Sequence, residues 1–458
     1  MRYILVLIIA VYTALFSWLC YAQFQGLTNS YPQDLAAQSQ ECWNTWHGRF
    51  LQQTVLYVGG ANHLYLIFAL FAPIYGVANN IFVLFFLYSL IAALGAIPVY
   101  LLARDNLESR NWGLLLAVLY LAYPGLHYLN LLGLKTEVLT LPLLLSAFYF
   151  WQRRNLSSFL TSVLIASMMT ELVCFFVMMF ALLSWFDGRD KRWIKLPVLI
   201  AMATLVITHL VFVPLISGNF SSDIERNKFF RYFNLFSWYP YQHIFDFLGT
   251  AIILVIASWE SLFLAVPYLS LGIFTKVIHT HHYFPLTIIL FIALIFGLKR
   301  ILKLDALRNV TFLSQKMMVI TAGALILFYV FDPLLVRPGY YHPMRQTVCD
   351  AWSLMQHIPQ TASVTCDPVL LPALSRRERL HEFSRKEYCG KKINYLDVDY
   401  ILIDPLRPHR ESGRHDKYQE NVQRLLEQTR QGSSGFEIVD TRGDWVLLQR
   451  KRSTKGNI

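Results

Sequence analysis

Long, uninterrupted apolar runs occupy most of this chain and constrain its fold more than any other feature. Of its 458 residues, 55% are hydrophobic and 15% are charged, whereas charged residues make up about a quarter of a soluble domain. Lipid hydrocarbon cannot satisfy free backbone groups, and the runs are continuous rather than alternating, so the pattern favours helices over barrel strands. The sequence therefore predicts an all-α membrane bundle.

Sequence windows of about 19 residues place about eleven membrane-spanning helices along the chain. Several runs are shorter than the roughly 20 residues that cross a bilayer upright, which predicts tilted helices or helices that line a wet cavity. The predicted spans are Tyr3–Tyr21, Asn80–Ala103, Trp112–Tyr128, Val138–Trp151, Leu156–Met169, Leu172–Phe186, Ile194–Ile216, Phe247–Ala257, Leu262–Thr275, Phe284–Leu298 and Met317–Phe331.

The distribution of Lys and Arg predicts the orientation of the bundle. Clusters such as Arg153–Arg154 and Arg189–Lys195 fall on the side shared with Arg2, and basic loops mark the cytoplasmic side. The first span is followed by a poor cleavage site, so we expect an uncleaved signal anchor with a cytoplasmic amino terminus in a bacterial inner (plasma) membrane. The same rule accounts for the net charge of +11, which therefore indicates no nucleic-acid partner.

Two loops and the tail are predicted to lie outside the membrane. Residues 1–332 form the predicted transmembrane domain, with outer loops at 22–79 and 217–246, and residues 333–458 a small extracytoplasmic α/β domain. The elements predicted for the tail are helices at Met344–His357 and Tyr418–Gln431, strands at Ala362–Thr365 and Tyr400–Asp404, and a strand pair at Phe436–Asp440 and Trp445–Gln449.

Acidic residues in separate outer loops are the candidate catalytic residues. Asp34 follows the first span, whereas Glu137 and Glu171 stand at the outer ends of later spans. Ionisable groups at such positions are costly and therefore functional candidates, and a carboxylate held there can take a proton from an acceptor hydroxyl. Alternatively, Asp34 is the N-cap of a short helix, and the acids belong to an ordinary outer surface.

Basic and histidine side chains in the outer loops are the candidate phosphate ligands. A phosphate-bearing lipid substrate requires cations beside acids, because the departing phosphate must be stabilised. Alternatively, the basic loop binds anionic lipid headgroups. The alternative ligand for the histidine cluster His279, His281 and His282 is a divalent metal ion, although the sequence has no matched second pair of metal ligands. The candidate substrate- and phosphate-binding residues are His63, Lys135, Arg226, Arg231, His281, His282 and Tyr283.

The order of short motifs along the chain resembles a known family. The motifs begin with Gln33-Asp34-Leu35, continue with Pro98–Arg104 and His282-Tyr283, and end with Asp399–Asp404. In this order the chain resembles a family of bacterial predicted membrane proteins, a domain of unknown function that is similar to the GT-C superfamily of glycosyltransferases. The resemblance covers nearly the whole chain.

The resemblance implies a GT-C-like fold and a cell-envelope glycosyltransferase that takes its sugar from a polyprenyl-phosphate donor at the outer membrane face. By analogy, Asp34 would deprotonate the acceptor hydroxyl as that oxygen attacks the anomeric carbon with inversion. The polyprenyl phosphate would leave against Lys135, Arg231 or His282, while Glu137 or Glu171 positions the sugar or the acceptor. The acceptor is a glycan, a lipid or a protein.

The chain departs from the family pattern at two of these acids. Leu134-Lys135-Thr136-Glu137 stands where the family has Phe-His-x-Glu, and Thr170-Glu171-Leu172 stands where Lys-Glu-Asp is usual. Asp34 is retained. A catalytically weakened member is therefore a second interpretation of the same resemblance.

Two other function classes compete with the glycosyltransferase. A transporter or flippase for a lipid-linked or small anionic substrate would have an inverted repeat and broken helices that meet near mid-bilayer. The sequence has no visible repeat, and its charges gather at one face. A non-catalytic envelope assembly protein would bind through its tail. The sequence contains no P-loop and no Gly-x-Ser-x-Gly motif, so nucleotide-driven transport and serine hydrolysis lose support.

Overall fold

The fold combines a large helical part with a small sheet near the carboxyl end. The computed structural model describes residues 2–56, 65–212, 284–302, 345–383, 394–405 and 415–451, together with residues 258, 260, 264, 387–388 and 391–392. Most of these residues are helical, and the strands all follow residue 363. This division agrees with the all-α bundle and α/β tail predicted from the sequence.

The helices follow the predicted apolar runs to within a few residues. The predicted spans at Phe247–Ala257 and Met317–Phe331 lie outside the described residues, as does all of Leu262–Thr275 except Leu264. The described helices before the tail are α1 (Arg2–Gln25), α2 (Pro32–Trp46), α3 (Ile67–Ala78), α4 (Phe82–Leu94), α5 (Ala96–Asn106), α6 (Arg110–Ala122), α7 (Pro124–Leu131), α8 (Thr136–Gln152), α9 (Leu156–Ser167), α10 (Glu171–Phe186), α11 (Lys191–Ile207) and α12 (Phe284–Leu302).

Within the described part of the chain, three helical stretches are long and apolar enough to cross a membrane: Tyr3–Gln25, Phe82–Asn106 and Lys191–Phe212. The helices α6 and α7 meet at an angle of 42° and would add a fourth stretch if they form one span. Pro124 causes this break, because proline has no N–H and forces the residue before it into an extended conformation. The total of about eleven spans stays a prediction.

Helix α1 illustrates how the bundle divides its side chains between protein and lipid. Tyr12 and Phe16 are buried against the rest of the bundle, where α1 packs on α4. On its other side Tyr3, Leu7 and Trp18 are exposed. A helix with an exposed apolar face is stable in lipid rather than in water, which agrees with a membrane protein.

The tail folds into strands and helices close to the predicted ones. Residues that the sequence analysis did not assign form β2 and the hairpin β3–β4. The described elements are α13 (Gln346–Met355), β1 (Val364–Cys366), a 3₁₀ turn (Pro368–Leu370), α14 (Leu371–Leu374), β2 (Leu380–Glu382), β3 (Glu387–Tyr388), β4 (Lys391–Lys392), β5 (Tyr400–Ile403), α15 (His415–Arg430), β6 (Phe436–Arg442) and β7 (Trp445–Arg450).

The main sheet has helices on both faces. Its strand order is β2-β1-β5-β7-β6, with β1 parallel to β2 and β5, and β7 antiparallel to β5 and β6. Side chains alternate across a strand, so Leu402 packs in the cluster that contains Leu354 of α13. Ile401 and Ile403 pack in the opposite cluster, with Val422 of α15.

Helix α2 lies between the bundle and the tail. Leu35 and Cys42 belong to the apolar core of the bundle, whereas Ala36 and Ala37 belong to the core that contains the tail strands β1, β2 and β7. Helix α2 therefore packs against both parts of the molecule. The predicted domain boundary at residues 332 and 333 lies outside the described residues and stays a prediction.

Candidate active site

Asp34 lies in the first turn of α2, but it is not the N-cap of that helix. Tyr31 occupies the N-cap position with φ −128° and ψ 71°, and Pro32 is the first helical residue. Proline suits this position because its fixed φ is already helical and its missing N–H would have had no partner. The alternative interpretation of Asp34 as a helix cap is therefore wrong, although a carboxylate in the first turn still benefits from the helix dipole.

The carboxylate of Asp34 forms an ion pair with the ammonium group of Lys135, which is 101 residues away in the sequence. The Lys135 side chain is 7% exposed and the Asp34 side chain 28%. The Lys135 Nζ also lies 4.2 Å from the centroid of the Tyr31 ring, a cation–π contact. The structure therefore brings a carboxylate and a cation from two segments far apart in the sequence into direct contact.

A tight turn and a buried tyrosine hold Lys135 in place. Gly133 has φ +88° and Leu134 φ +34°, so the chain reverses sharply before Lys135, the N-cap of α8. This left-handed conformation favours glycine. The Tyr88 hydroxyl of α4 donates a hydrogen bond to the Lys135 carbonyl oxygen. The lysine backbone is thus fixed by the bundle itself.

Glu137 lies in the first turn of α8, two residues after Lys135, and is 6% exposed. The Thr136 hydroxyl is 3.5 Å from Glu137 Oε2 in hydrogen-bonding geometry, and the Thr140 hydroxyl donates to the Glu137 carbonyl oxygen at 2.6 Å. A buried carboxylate at a helix amino terminus is favoured by the helix dipole. Asp34 and Glu137 therefore stand at the amino-terminal turns of two helices that the Asp34–Lys135 ion pair connects.

The other candidate residues are not brought into this site by the described structure. Glu171 is the first residue of α10, after the N-cap Thr170, and its side chain is not described. The remaining candidates lie outside the described residues, so convergence of all the acids and cations on one cavity stays a prediction. These candidates are His63, Arg226, Arg231, His281, His282 and Tyr283.

Sequence reasoning did not identify Tyr31, Tyr88 or Gln38 as site residues. Burial raises the pKa of the Tyr31 phenol, as do Tyr128 and Asp34, while Lys135 opposes the rise. Gln38 follows Asp34 by one helical turn on the same face of α2. It is 7% exposed, and among the described residues its Oε1 has no hydrogen-bond partner. The i, i+4 spacing from Asp34 was the available signal for Gln38, whereas a tyrosine inside an apolar span gave none for Tyr88.

The described residues contain no group of three His, Cys, Asp or Glu side chains arranged to hold a metal ion. Several candidate ligands, including His281 and His282, lie outside those residues. The site described so far is thus a carboxylate and ammonium pair with an aromatic ring beside it. Such a pair offers a base and a cation for a phosphate group within one contact distance.

Comparisons with known proteins agree with this arrangement of a helical bundle and a tail. Residues 24–447 match the family described as predicted membrane protein DUF2079, and no curated protein matches the sequence. The crystal structure of ArnT from Cupriavidus metallidurans bound to undecaprenyl phosphate, a GT-C glycosyltransferase, is similar, with a TM-score of 0.59 and 10% identity. The similarity covers 98% of this chain and 99% of ArnT, and at this identity it concerns the fold alone.

Proposed function

The chain belongs to the DUF2079 family of predicted membrane proteins, and we propose that it is a GT-C-like glycosyltransferase that moves a sugar from a polyprenyl-phosphate donor to an extracytoplasmic acceptor. The observation that carries the proposal is the ion pair between Asp34 and Lys135, which joins two outer segments of an ArnT-like fold. ArnT binds undecaprenyl phosphate in its crystal structure, which supports a lipid phosphate as the ligand.

The reaction begins when the donor phosphate competes with Asp34 for Lys135. The donor phosphate and the Asp34 carboxylate are both anionic, and the phosphate offers more acceptor oxygens than the carboxylate. The competition releases the Asp34 carboxylate, which then accepts the proton of the acceptor hydroxyl as a general base. The partial exposure of Asp34, 28%, leaves room for the acceptor beside it.

The bonds change in a single displacement. The acceptor oxygen forms a bond to the anomeric carbon while the bond from that carbon to the phosphate oxygen breaks. The electron pair of the broken bond stays on the departing polyprenyl phosphate, where Lys135 stabilises the added charge. Attack from the face opposite the phosphate inverts the anomeric configuration.

The acids of the later helices position the substrates in this proposal. Glu137 is buried at the start of α8, two residues from the lysine that holds the phosphate, so it is well placed to bind sugar hydroxyls. The Gln38 Oε1, which has no partner among the described residues, is a second group for a sugar hydroxyl, because a buried polar atom without a partner is destabilising until a ligand satisfies it. Glu171, Arg226, Arg231, His63, His281, His282 and Tyr283 complete the donor and acceptor sites.

The proposal sets the chain in the bacterial plasma membrane with a cytoplasmic amino terminus. Both the Asp34–Lys135 pair and the α/β tail then face the extracytoplasmic side, where a lipid-linked sugar is available to envelope glycans, lipids or proteins. The excess of Lys and Arg in the opposite loops supports this orientation. The proposed donor is a substrate and not a resident cofactor.

Sugar transfer by the Asp34→Asn variant tests the proposal. Purified protein is reconstituted with a polyprenyl-phosphate donor that carries a labelled sugar, and extracted envelope material serves as the acceptor pool. We expect the variant to lose about 10²- to 10⁴-fold in transfer rate, because an amide cannot act as the base. Asp190→Asn is the matched control, since Asp190 accepts from the Arg192 N–H at the start of α11 and takes no part in the site. Full transfer by Asp34→Asn would reject the proposal.

A further inference from the structure

The helix that carries Asp34 has three differently occupied sides. Successive helical residues are rotated by about 100°, so Gln40, six residues after Asp34, lies about 120° away around the helix axis. The Asp34 side faces Lys135, a second side carries Leu35 and Cys42 into the bundle core, and the third carries Ala36 and Ala37 into the tail core. Residues far apart in the sequence therefore determine the rotation of α2 together.

Gln40 joins α2 to the tail through hydrogen bonds of its side-chain amide. Its Nε2 donates to the carbonyl oxygens of Arg377 at 2.8 Å and Glu378 at 3.0 Å. Its Oε1 accepts from the Thr54 N–H at 2.8 Å. Gln40 is completely buried. A buried amide with both ends satisfied fixes its backbone closely, because any displacement leaves a polar group without a partner.

Thr54 extends the same connection to the sheet of the tail. Its Oγ1 accepts from the Leu380 N–H at 2.9 Å and donates to the Leu380 carbonyl oxygen at 2.8 Å. Leu380 is the first residue of β2, an edge strand of the sheet. Thr54, which follows α2 in the first loop, therefore hydrogen-bonds the backbone of an edge strand of the tail and also the Gln40 side chain.

A chain of hydroxyl groups continues the contact into the bundle. The Ser375 hydroxyl donates to Ser39 Oγ at 2.8 Å, and Ser39 Oγ lies 2.8 Å from the Tyr75 hydroxyl of α3. Residues 375–380 thus form a docking segment that contacts α2 at two successive residues, Ser39 and Gln40. Such consecutive contacts restrict both the rotation and the sliding of a helix.

The docking segment is itself ordered from within the tail. Arg377 is 5% exposed, and its guanidinium donates to the carbonyl oxygens of Leu374 at 2.7 Å and Ala362 at 2.9 Å. Burial lowers the pKa of Arg377 to about 10, so the group remains protonated at neutral pH. The carbonyl groups that Gln40 binds are therefore held by a rigid part of the tail.

We infer that Gln40 is a positioning residue for Asp34, and that the docking segment of the carboxyl-terminal domain holds α2 in the rotation that sets Asp34 against Lys135. This inference rests on the proposed function for its catalytic consequence. It assigns the tail a part in the transfer reaction that does not require the tail to bind substrate. Loss of the Gln40 contacts loosens α2 while the sheet stays folded.

Backbone hydrogen exchange in the full chain tests the positioning role without reference to activity. In Gln40→Ala we expect the amides of residues 35–40 to exchange about tenfold faster, whereas those of β1 and β5 are unchanged. Transfer per folded protein should fall about tenfold in kcat, with the donor KM changed less than twofold. Gln346→Ala is the control, because Gln346 donates to the Asp350 carboxylate at 2.9 Å within α13, outside the docking segment.

The outcomes separate this inference from the proposed function. Equal exchange at residues 35–40 in Gln40→Ala and Gln346→Ala would overturn the inference. Faster exchange in Gln40→Ala in a protein that never transfers sugar would retain the positioning role and reject the proposed function. If Gln40→Ala does not fold, the Thr54→Val variant tests the inference instead. This substitution keeps the shape of the side chain but removes the hydroxyl that pairs with Leu380. Unchanged exchange at residues 35–40 in Thr54→Val would also overturn the inference.

Discussion

The two ends of α8 hold their charged and polar side chains in different ways. At the carboxyl end, Gln152 and Asn106 exchange hydrogen bonds of 2.9 and 2.7 Å, and the Lys299 ammonium donates to Asn106 at 2.9 Å. At the amino end, Lys135 contacts the Asp34 carboxylate and the Tyr31 ring. One end is a network of mutual bonds, and the other is an ion pair.

Charged residues near the carboxyl end of α8 also have several partners. Asp105 pairs with both Arg104 at 2.7 Å and Arg153 at 2.6 Å. Arg189 pairs with Asp187 at 2.8 Å and stacks on the Trp151 ring, 3.9 Å from its centroid. Charges with several fixed partners rarely exchange them for a ligand, because every bond must be replaced. This difference is the reason that the proposal sets the substrate at the amino end of α8.

Exchanging the charges of Asp34 and Lys135 is expected to have the largest effect. The double variant Asp34→Lys with Lys135→Asp keeps an ion pair, so its melting temperature should stay within a few degrees of the parent. Its transfer rate should fall by at least about 10²-fold, because base and phosphate ligand have exchanged places. A double variant that retains transfer would mean that the pair is only structural.

Removing the Lys135 cation should have the next largest effect. We expect Lys135→Met to lose about 10²-fold in transfer and to bind undecaprenyl phosphate more weakly, since the phosphate loses its charged partner. Lys299→Met, at the other end of α8, is the matched control and should change stability but not lipid binding. Lipid titrations of both variants provide the check, and equal weakening of binding would remove the distinction between the two ends.

Helix positions were predictable from the sequence, whereas the pairing of the site was not. Continuous apolar runs predicted α8 and α10 to within about two residues. The break at Pro124 was missed because the apolar run continues through it. The β2 strand was missed because it has only three residues and pairs in parallel with β1, a partner that local alternation does not reveal.

The candidate site shows the same limit. The sequence indicated Asp34 and Lys135 separately, because each is a charge beside an apolar run. Their contact depends on the turn at Gly133 and on the Tyr88 hydrogen bond to Lys135, and both are tertiary features. The seating of α2 against the tail depends on Gln40 and on carbonyl groups more than 330 residues later, which no local pattern encodes.

The tyrosine behind the pair should have a smaller effect. Tyr88→Phe removes the hydrogen bond to the Lys135 carbonyl oxygen, worth about 1 kcal/mol, so transfer should fall a few-fold. Tyr120→Phe is the control, because its hydroxyl donates to the Ala92 carbonyl oxygen of the same helix α4 at 3.0 Å, away from the pair. A kinetic comparison in which both variants lose the same activity would assign Tyr88 to general packing.

The network at the carboxyl end of α8 should matter least for transfer. Asp105→Asn weakens two ion pairs, so we expect a loss of about 1–2 kcal/mol in the free energy of unfolding. The transfer rate per folded protein should be unchanged. Thermal unfolding and transfer measured on the same sample separate the two effects, and a large drop in transfer at unchanged stability would contradict the proposed division.

An experimental structure with a non-hydrolysable polyprenyl-phosphate sugar analogue tests the central claim most directly. We expect the phosphate to contact the Lys135 ammonium, the Asp34 carboxylate to be released from that lysine, and the anomeric carbon to lie within reach of a hydroxyl bound by Asp34. A lipid phosphate seated elsewhere, with the Asp34–Lys135 pair still closed, would contradict the account.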